Sequence, residues 1–199
     1  MSLTIFISVF IKFFFLLTPF FILSVFLAVT ESESALVQRR LAVRITAGVV
    51  VISLVLYLFG NLIFTMLGIT VDAFRIGAGA LLFLSAVSLT QGTVQLPDSK
   101  RSVMELAIVP LAIPMTLGPG SVGALLVMGT EAANTADKIQ TGTAIVLAGF
   151  AVGVLLLTAD AIKRVIGRSG ISMLSKITGL VLAALSAQMM FTGIAAFLK

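Results

Sequence analysis

The stretch LGPGSVGALLVMGTE, residues 117–131, places Gly118-Pro119-Gly120 in the middle of a long uncharged segment of the chain. A proline in a helix interior removes one backbone hydrogen bond and clashes with the preceding turn, and neighbouring glycines weaken the helix further. The surrounding residues are nonetheless as apolar as those of a helix that crosses a membrane. We therefore predict a membrane helix that is interrupted near its middle.

The composition of the whole chain is that of a membrane protein. Of its 199 residues, 59% are hydrophobic and only 11% are charged. Cutting the sequence at its charges leaves uncharged windows close to the roughly 20 residues that a helix needs to cross a bilayer. These windows are 13–30, 45–71, 76–97, 106–130, 139–159 and 177–198. The windows predict an all-α membrane protein with six transmembrane helices.

The distribution of lysine and arginine predicts the orientation of these spans. The segments after spans 1, 3 and 5 carry nine basic residues and the other side carries four. Basic segments of this kind stay in the cytoplasm. The nine are Arg39, Arg40, Arg44, Lys100, Arg101, Lys163, Arg164, Arg168 and Lys176, against Lys12, Arg75, Lys138 and Lys199. We expect a multi-pass protein of the bacterial inner membrane with both termini outside, and no nucleic-acid partner for the basic residues.

Two sequence blocks recur at nearly the same offset. A shift of 100 residues lays LTPFFILSVFLAVTE (17–31) over 117–131, and a shift of 101 lays 75–92 over 176–193. The chain is thus predicted to contain a three-helix unit twice. Because three is odd, the second copy enters the membrane from the opposite side, as in many secondary transporters. We expect one membrane domain made of repeats 1–92 and 103–199, joined by a cytoplasmic linker at 93–102.

The paired breaks predict where a solute binds. Such transporters bind substrate where corresponding spans are interrupted, here at Thr18-Pro19 and at Gly118-Pro119-Gly120. Each break creates a helix N-terminus, near Phe20–Ile22 and Gly120–Val122, whose N–H groups favour a carboxylate. The carbonyls before each break suit an ammonium group. The predicted substrate is therefore a zwitterion.

The candidate substrate-binding residues surround the two breaks. They are Thr18, Pro19, Phe20, Phe21, Thr116, Gly118, Pro119, Gly120 and Ser121. For Pro19 alone, a simple kink is the competing interpretation. The hydroxyls of Thr116 and Ser121 either satisfy freed backbone groups or contact the ligand. Glu31 and Glu131, at corresponding span ends, are either solvated surface groups or gating carboxylates.

The layout and two motifs resemble the MarC family, which includes SnatA-type transporters of small neutral amino acids. The motifs are VPLAIPMTLGPGSV (109–122) and GITVDAFRIGAGALL (68–82). The resemblance implies two discontinuous helices and a glycine- or alanine-sized substrate, with proton-driven transport in some members. The family usually has Asn-Pro-x-Gly-x-x-Pro in span 1, whereas this chain has Thr18, Phe21 and Ser24 at the Asn, Gly and second Pro.

The residues also argue against other classes of protein. The chain has no cysteine and no histidine, and no nucleophile, base and metal-ligand set falls in the spans, so we expect neither an enzyme nor a metal or cofactor. A proton or sodium ion for coupling stays unassigned. We expect a secondary transporter of glycine-, alanine- or serine-sized amino acids, in contact with membrane lipids; homo-oligomer formation is left open. The alternatives are efflux of another small solute and a non-transporting regulatory or scaffold protein.

Overall fold

The computed structural model describes residues 3–92, 117–131 and 134–198 of the chain. Within these ranges the chain is α-helical and contains no strand, which confirms the predicted all-α class. The helices are α1 (Leu3–Leu16), α2 (Pro19–Val29), α3 (Ala35–Leu67), α4 (Val71–Gln91), α5 (Pro119–Glu131), α6 (Thr135–Leu157) and α7 (Ala159–Phe197).

Five segments of the described residues are long and apolar enough to cross a membrane. They are Phe6–Val29, Ala35–Gly60, Val71–Gln91, Thr135–Leu157 and Ala159–Phe197. Each overlaps one of the predicted windows. The remaining window, 106–130, is described only from residue 117 onward, and the predicted linker 93–102 lies outside the described residues.

The helices extend well beyond the uncharged windows. We expected loops around Arg39–Arg44 and Lys163–Lys176, but these residues lie on α3 and α7. That expectation was wrong because arginine and lysine are good helix formers, so a charge ends the apolar part of a helix without ending the helix. α7 is 39 residues long and kinks at Gly167, whose φ of 68° is left-handed.

Local signals explain where several helices begin and end. The hydroxyl of Thr70 accepts a hydrogen bond from the Ala73 N–H at the start of α4, and the Asn134 side chain accepts one from Asp137 N–H at the start of α6. Such caps satisfy N–H groups that a helix start leaves without a partner. Gly68 and Gly92 end α3 and α4 in the left-handed conformation that glycine adopts without steric cost.

The helices pack around one apolar core. α4 pairs with α7, α3 with α6, and α5 contacts both α3 and α4; α2 contacts α6 and α7, and α1 lies mainly against α6. Phe13, Ile22, Leu41, Leu125 and Ile145 are among the fully buried side chains at the centre. Many outward-facing side chains are also large and apolar, as a surface in contact with lipid requires.

Candidate functional site

The chain leaves the helical conformation between α1 and α2. α1 ends at Leu16 and α2 begins at Pro19, which occupies the first helical position. Between them Thr18 is buried and left-handed, with φ 49° and ψ 54°. Proline is well tolerated at a first helical position, since its missing N–H would have no partner there. Pro19 is therefore compatible with the first position of α2.

The second proline likewise stands at the first position of a helix. α5 also begins on its proline, Pro119, and Val122 N–H donates to the Gly118 carbonyl at 3.0 Å, just as Ile22 N–H donates to the Thr18 carbonyl at 3.0 Å. The predicted donor sets, Phe20–Ile22 and Gly120–Val122, were thus too long by one residue each. Helix geometry leaves only the N–H groups at 20–21 and 120–121 without a carbonyl in their own helix.

A buried hydrogen bond joins the two breaks. The Ser121 hydroxyl on α5 donates to the carbonyl of Leu16 at the end of α1, at 2.6 Å. Both residues are buried, with 3% and 4% of their surface exposed. The hydroxyl of Ser121 therefore satisfies a carbonyl that the end of α1 leaves without a helical partner, which was one of its two expected uses.

A cavity of about 170 Å³, which we call the Thr18 cavity, lies where the breaks meet. Five of the sequence-predicted residues line it: Thr18, Phe21, Gly118, Pro119 and Ser121. The other lining residues are Leu82, Ser85, Ser88, Leu89 and Leu182. Pro19, Phe20 and Gly120 do not line the cavity, and Thr116 lies outside the described residues. The volume corresponds to about six water molecules at roughly 30 Å³ each.

The two glycines that flank Pro119 have different surroundings. A Cβ atom added to Gly118 would meet no heavy atom of the described residues within 4 Å, so among these residues Gly118 faces open space at the cavity. A Cβ atom added to Gly120 would lie 2.5 Å from the Leu82 Cα atom. Gly120 therefore lets α5 approach the backbone of α4, whereas Gly118 leaves room in the cavity.

Sequence reasoning missed two hydroxyl groups that α4 contributes to the cavity. The Ser85 hydroxyl donates to the Leu81 carbonyl and the Ser88 hydroxyl to the Leu84 carbonyl, each at 3.0 Å. With their protons turned to the helix backbone, both oxygens offer lone pairs to a ligand. The recurrence of Ser85 as Ser186 in the repeat was a signal for one of them, and the sequence held no comparable signal for Ser88.

The carboxylates at corresponding span ends both form ion pairs. Glu131, at the end of α5, binds Arg75 of α4 at 2.6 Å, and Arg75 also binds Asp72 at 2.5 Å. Glu31, just after α2, binds Arg168 of α7 and lies 3.8 Å from the Lys163 ammonium nitrogen. Both carboxylates are more than half exposed, and each ion pair joins the end of one helix to a neighbouring helix.

The left-handed conformation of Thr18 leads to a stability prediction. A β-branched residue is unfavourable at positive φ, by about 1–2 kcal/mol, whereas asparagine adopts this region more readily. We expect Thr18→Asn to raise the free energy of unfolding by about 1 kcal/mol, measured by denaturant titration in mixed micelles. Thr18→Val, which keeps the β-branch, is the control and is expected not to stabilise the protein. An unchanged or lowered stability of Thr18→Asn would contradict the assigned strain.

Comparison with known proteins places the whole chain within one group of membrane proteins. Residues 3–198 match the family described as MarC family integral membrane protein. A UPF0056 membrane protein of Methanocaldococcus jannaschii is 34% identical over 200 residues, covering 98% of each chain. One from Aquifex aeolicus is 31% identical over 98% of this chain and 94% of its own, and YhcE of Escherichia coli is 29% identical over 93% and 89%. No solved structure matches the chain significantly.

Proposed function

Because this chain belongs to the MarC family of integral membrane proteins, we propose that it is a secondary transporter of small neutral amino acids, of the SnatA type. The observation that carries the proposal is the Thr18 cavity, where the end of α1 and the starts of α2 and α5 meet around about 170 Å³ of space. Binding sites at paired helix interruptions are a recurring feature of secondary transporters.

The packing of the helices supports an inverted repeat. In such a repeat α2 corresponds to α5, α3 to α6 and α4 to α7. Replacing each helix by its counterpart turns the α4–α5 contact into an α7–α2 contact, and the α3–α5 contact into an α6–α2 contact. Both members of each pair are present, and the α3–α6 and α4–α7 contacts map onto themselves. This pattern is expected of two halves related by a two-fold axis in the membrane plane.

Two close contacts between α4 and α7 are exchanged in the same way by the repeat. A Cβ atom added to Gly79 would meet the Met190 side chain at 2.5 Å and the Ser186 carbonyl oxygen at 3.1 Å. One added to Gly179 would meet the Thr90 side chain at 2.6 Å and the Ala86 carbonyl oxygen at 2.9 Å. Each contact becomes the other when 100 is added to or subtracted from the residue numbers, so the packing of α4 and α7 follows an offset one residue shorter than the 101 of the sequence match over 75–92.

We propose the complete layout on this basis. α1 and α2 form one discontinuous span, and α5 is the described part of the fourth span, predicted at 106–130. Six spans then form two inverted repeats that rock against each other in alternating access. The positive-inside rule puts the basic ends of α3 and α7 in the cytoplasm and both termini outside, in a bacterial inner membrane.

The Thr18 cavity suits a zwitterion although none of the described residues that line it is charged. The N–H groups at the starts of α2 and α5 carry the positive ends of two helix dipoles, and these favour the carboxylate. The lone pairs of Ser85 and Ser88 accept hydrogen bonds from the ammonium group. The Leu16 carbonyl, which has a second lone pair beside the one that Ser121 occupies, is a further acceptor.

The cavity also limits the size of the side chain. Phe21, which stands where the family pattern has glycine, lines the cavity together with Leu82, Leu89 and Leu182. The remaining volume accommodates amino acids from about glycine to threonine in size. Large cations, the cargo of many efflux pumps, would need a wider and more acidic cavity.

Competition between substrate analogues tests the proposal. In proteoliposomes, unlabelled alanine and serine are expected to inhibit labelled glycine uptake, while glycine amide and N-acetylglycine inhibit at least about tenfold less. Each analogue lacks one charged pole, and the opposing dipole would then be left without a partner in a site of low dielectric constant, at a cost of about 1–3 kcal/mol. Sarcosine, which keeps both charges, is the control for added bulk.

Two results would point to the alternatives. Inhibition by glycine amide and N-acetylglycine as strong as that by alanine and serine would favour efflux of another small solute. Absence of binding for every small amino acid, in protein that is folded, would favour a regulatory or scaffold role. Uptake measured with imposed proton and sodium gradients assigns the coupling ion.

A further inference from the structure

A second cavity, of about 200 Å³, lies between α1, α4, α5 and α7 and is unused by the proposed site. We call it the Lys12 cavity. Its polar lining consists of Lys12, Arg75, Glu131, Gln188 and Thr192, and Leu82 forms part of its apolar wall. It therefore contains two cationic side chains and one carboxylate, in contrast to the uncharged lining of the Thr18 cavity.

The two cavities follow one another along the bundle. On α4 the Lys12 cavity contacts Arg75 and Leu82, and the Thr18 cavity contacts Leu82, Ser85 and Ser88. On α7 the Thr18 cavity contacts Leu182, whereas the Lys12 cavity contacts only residues in the range 185–192. On both helices, therefore, the two cavities occupy successive positions. Leu82, 2% exposed, is thus the wall that both cavities share.

Lys12 faces the Lys12 cavity from inside a membrane span. Val9, Lys12 and Leu16 are spaced as one stripe of α1, and all three line the cavity. Lys12 lies only about 6 Å along the helix from Leu16, where α1 ends. An ionisable side chain within a span is costly and usually marks a solute or ion pathway. No ion pair joins Lys12 to an acidic group of the described residues.

Glu131 supplies the opposite charge. Its Oε1 atom accepts from Arg75, while Oε2 takes part in no hydrogen bond within residues 3–92, 117–131 and 134–198. Asp72 also binds Arg75, so Lys12, Arg75, Asp72 and Glu131 sum to zero charge. A zwitterion preserves this balance and meets both poles, whereas a lone anion or cation disturbs it.

We propose that the Lys12 cavity is a second binding site for a zwitterion, with the ligand carboxylate at Lys12 and its ammonium group at Glu131. Gln188 and Thr192 provide further hydrogen-bonding groups in the same cavity. That the natural ligand is the transported amino acid rests on the proposed function; the charge recognition itself does not. The site then receives the solute on one side of Leu82 before it reaches the Thr18 cavity.

Nuclear magnetic resonance of methylated lysines tests this site directly. Reductive methylation with carbon-13 formaldehyde labels each lysine ammonium and keeps its positive charge, and Lys12→Met identifies the Lys12 signal. Titration with glycine is expected to shift that signal saturably. Acetate and glycine amide, which each carry only one of the poles, are expected to bind at least about tenfold more weakly.

Variants of the two symmetric carboxylates provide matched controls. Glu131→Gln is expected to weaken the effect of glycine at Lys12 at least about tenfold, because the ammonium partner is lost. Glu31→Gln removes the corresponding charge from the other ion pair and is expected to leave the titration unchanged. A Lys12 signal that glycine does not move, that acetate and glycine amide move as strongly, or that responds alike in both variants would overturn the proposal.

The same titration separates this inference from the proposed transport. In Gly118→Leu protein, whose Thr18 cavity is obstructed, the Lys12 signal is still expected to respond to glycine. If the protein without substitutions shows the saturable response but transports no amino acid, the result would support the Lys12 site and count against the transport function. Transport without any response of the Lys12 signal would support the transport function and count against the Lys12 site.

Discussion

Gly118→Leu is expected to abolish amino-acid transport and to leave the protein folded. Gly118 lines the Thr18 cavity, and a side chain there would enter open space, because no heavy atom in the part of the chain that the structure describes lies within 4 Å of its Cβ position. A leucine side chain would occupy much of the volume of about 170 Å³. We expect initial uptake rates in proteoliposomes to fall at least about 100-fold, since bound solute and leucine cannot share the cavity.

A second leucine substitution controls for added bulk. Gly77, on α4, likewise has no heavy atom of the described residues within 4 Å of its Cβ position, and it is exposed and does not line the cavity. Gly77→Leu is therefore expected to transport normally. Wild-type transport by folded Gly118→Leu protein would show that solute does not pass through the Thr18 cavity.

Gly120→Ala is expected to destabilise the protein strongly, although it adds a single methyl group. The new atom would lie 2.5 Å from the Cα atom of Leu82 and 2.6 Å from its backbone nitrogen, and backbone atoms cannot rotate away. Separating α5 from α4 to relieve this contact is expected to cost about 3 kcal/mol of the free energy of unfolding, measured by denaturant titration in mixed micelles.

The neighbouring glycine provides the control for this effect. The new methyl group of Gly118→Ala meets no atom of residues 3–92, 117–131 and 134–198 within 4 Å, and the substitution is expected to change stability by less than about 0.5 kcal/mol. Equal stabilities for the two alanine variants would contradict the close approach of α5 and α4.

The starts of α2 and α5 could be predicted from sequence because proline acts locally. Pro19 and Pro119 lack an N–H group, so each is compatible with the first position of a helix and incompatible with its interior. α2 and α5 begin on these residues. The family pattern also located Thr18, but its left-handed backbone follows only from the structure.

Other features depend on contacts between distant segments and could not be predicted. Gly118 and Gly120 are equivalent in a local motif, and only the position of Leu82 makes one of them a packing residue. Ser88 lines the cavity because α4 packs against α5. The lengths of α3 and α7 were underestimated because an uncharged window indicates only the part of a helix that lies in the apolar layer of the membrane. Basic residues beyond that window continue the same helix.

Counterflow in proteoliposomes tests the central claim most directly, because it requires no knowledge of the coupling ion. Vesicles containing the protein are loaded with excess unlabelled glycine and diluted into a trace of labelled glycine. We predict transient accumulation of label above its external concentration, abolished in Gly118→Leu and retained in Gly77→Leu. Label that equilibrates no faster than in protein-free vesicles, for glycine, alanine and serine alike and with folded protein, would contradict the claim that this chain transports small amino acids.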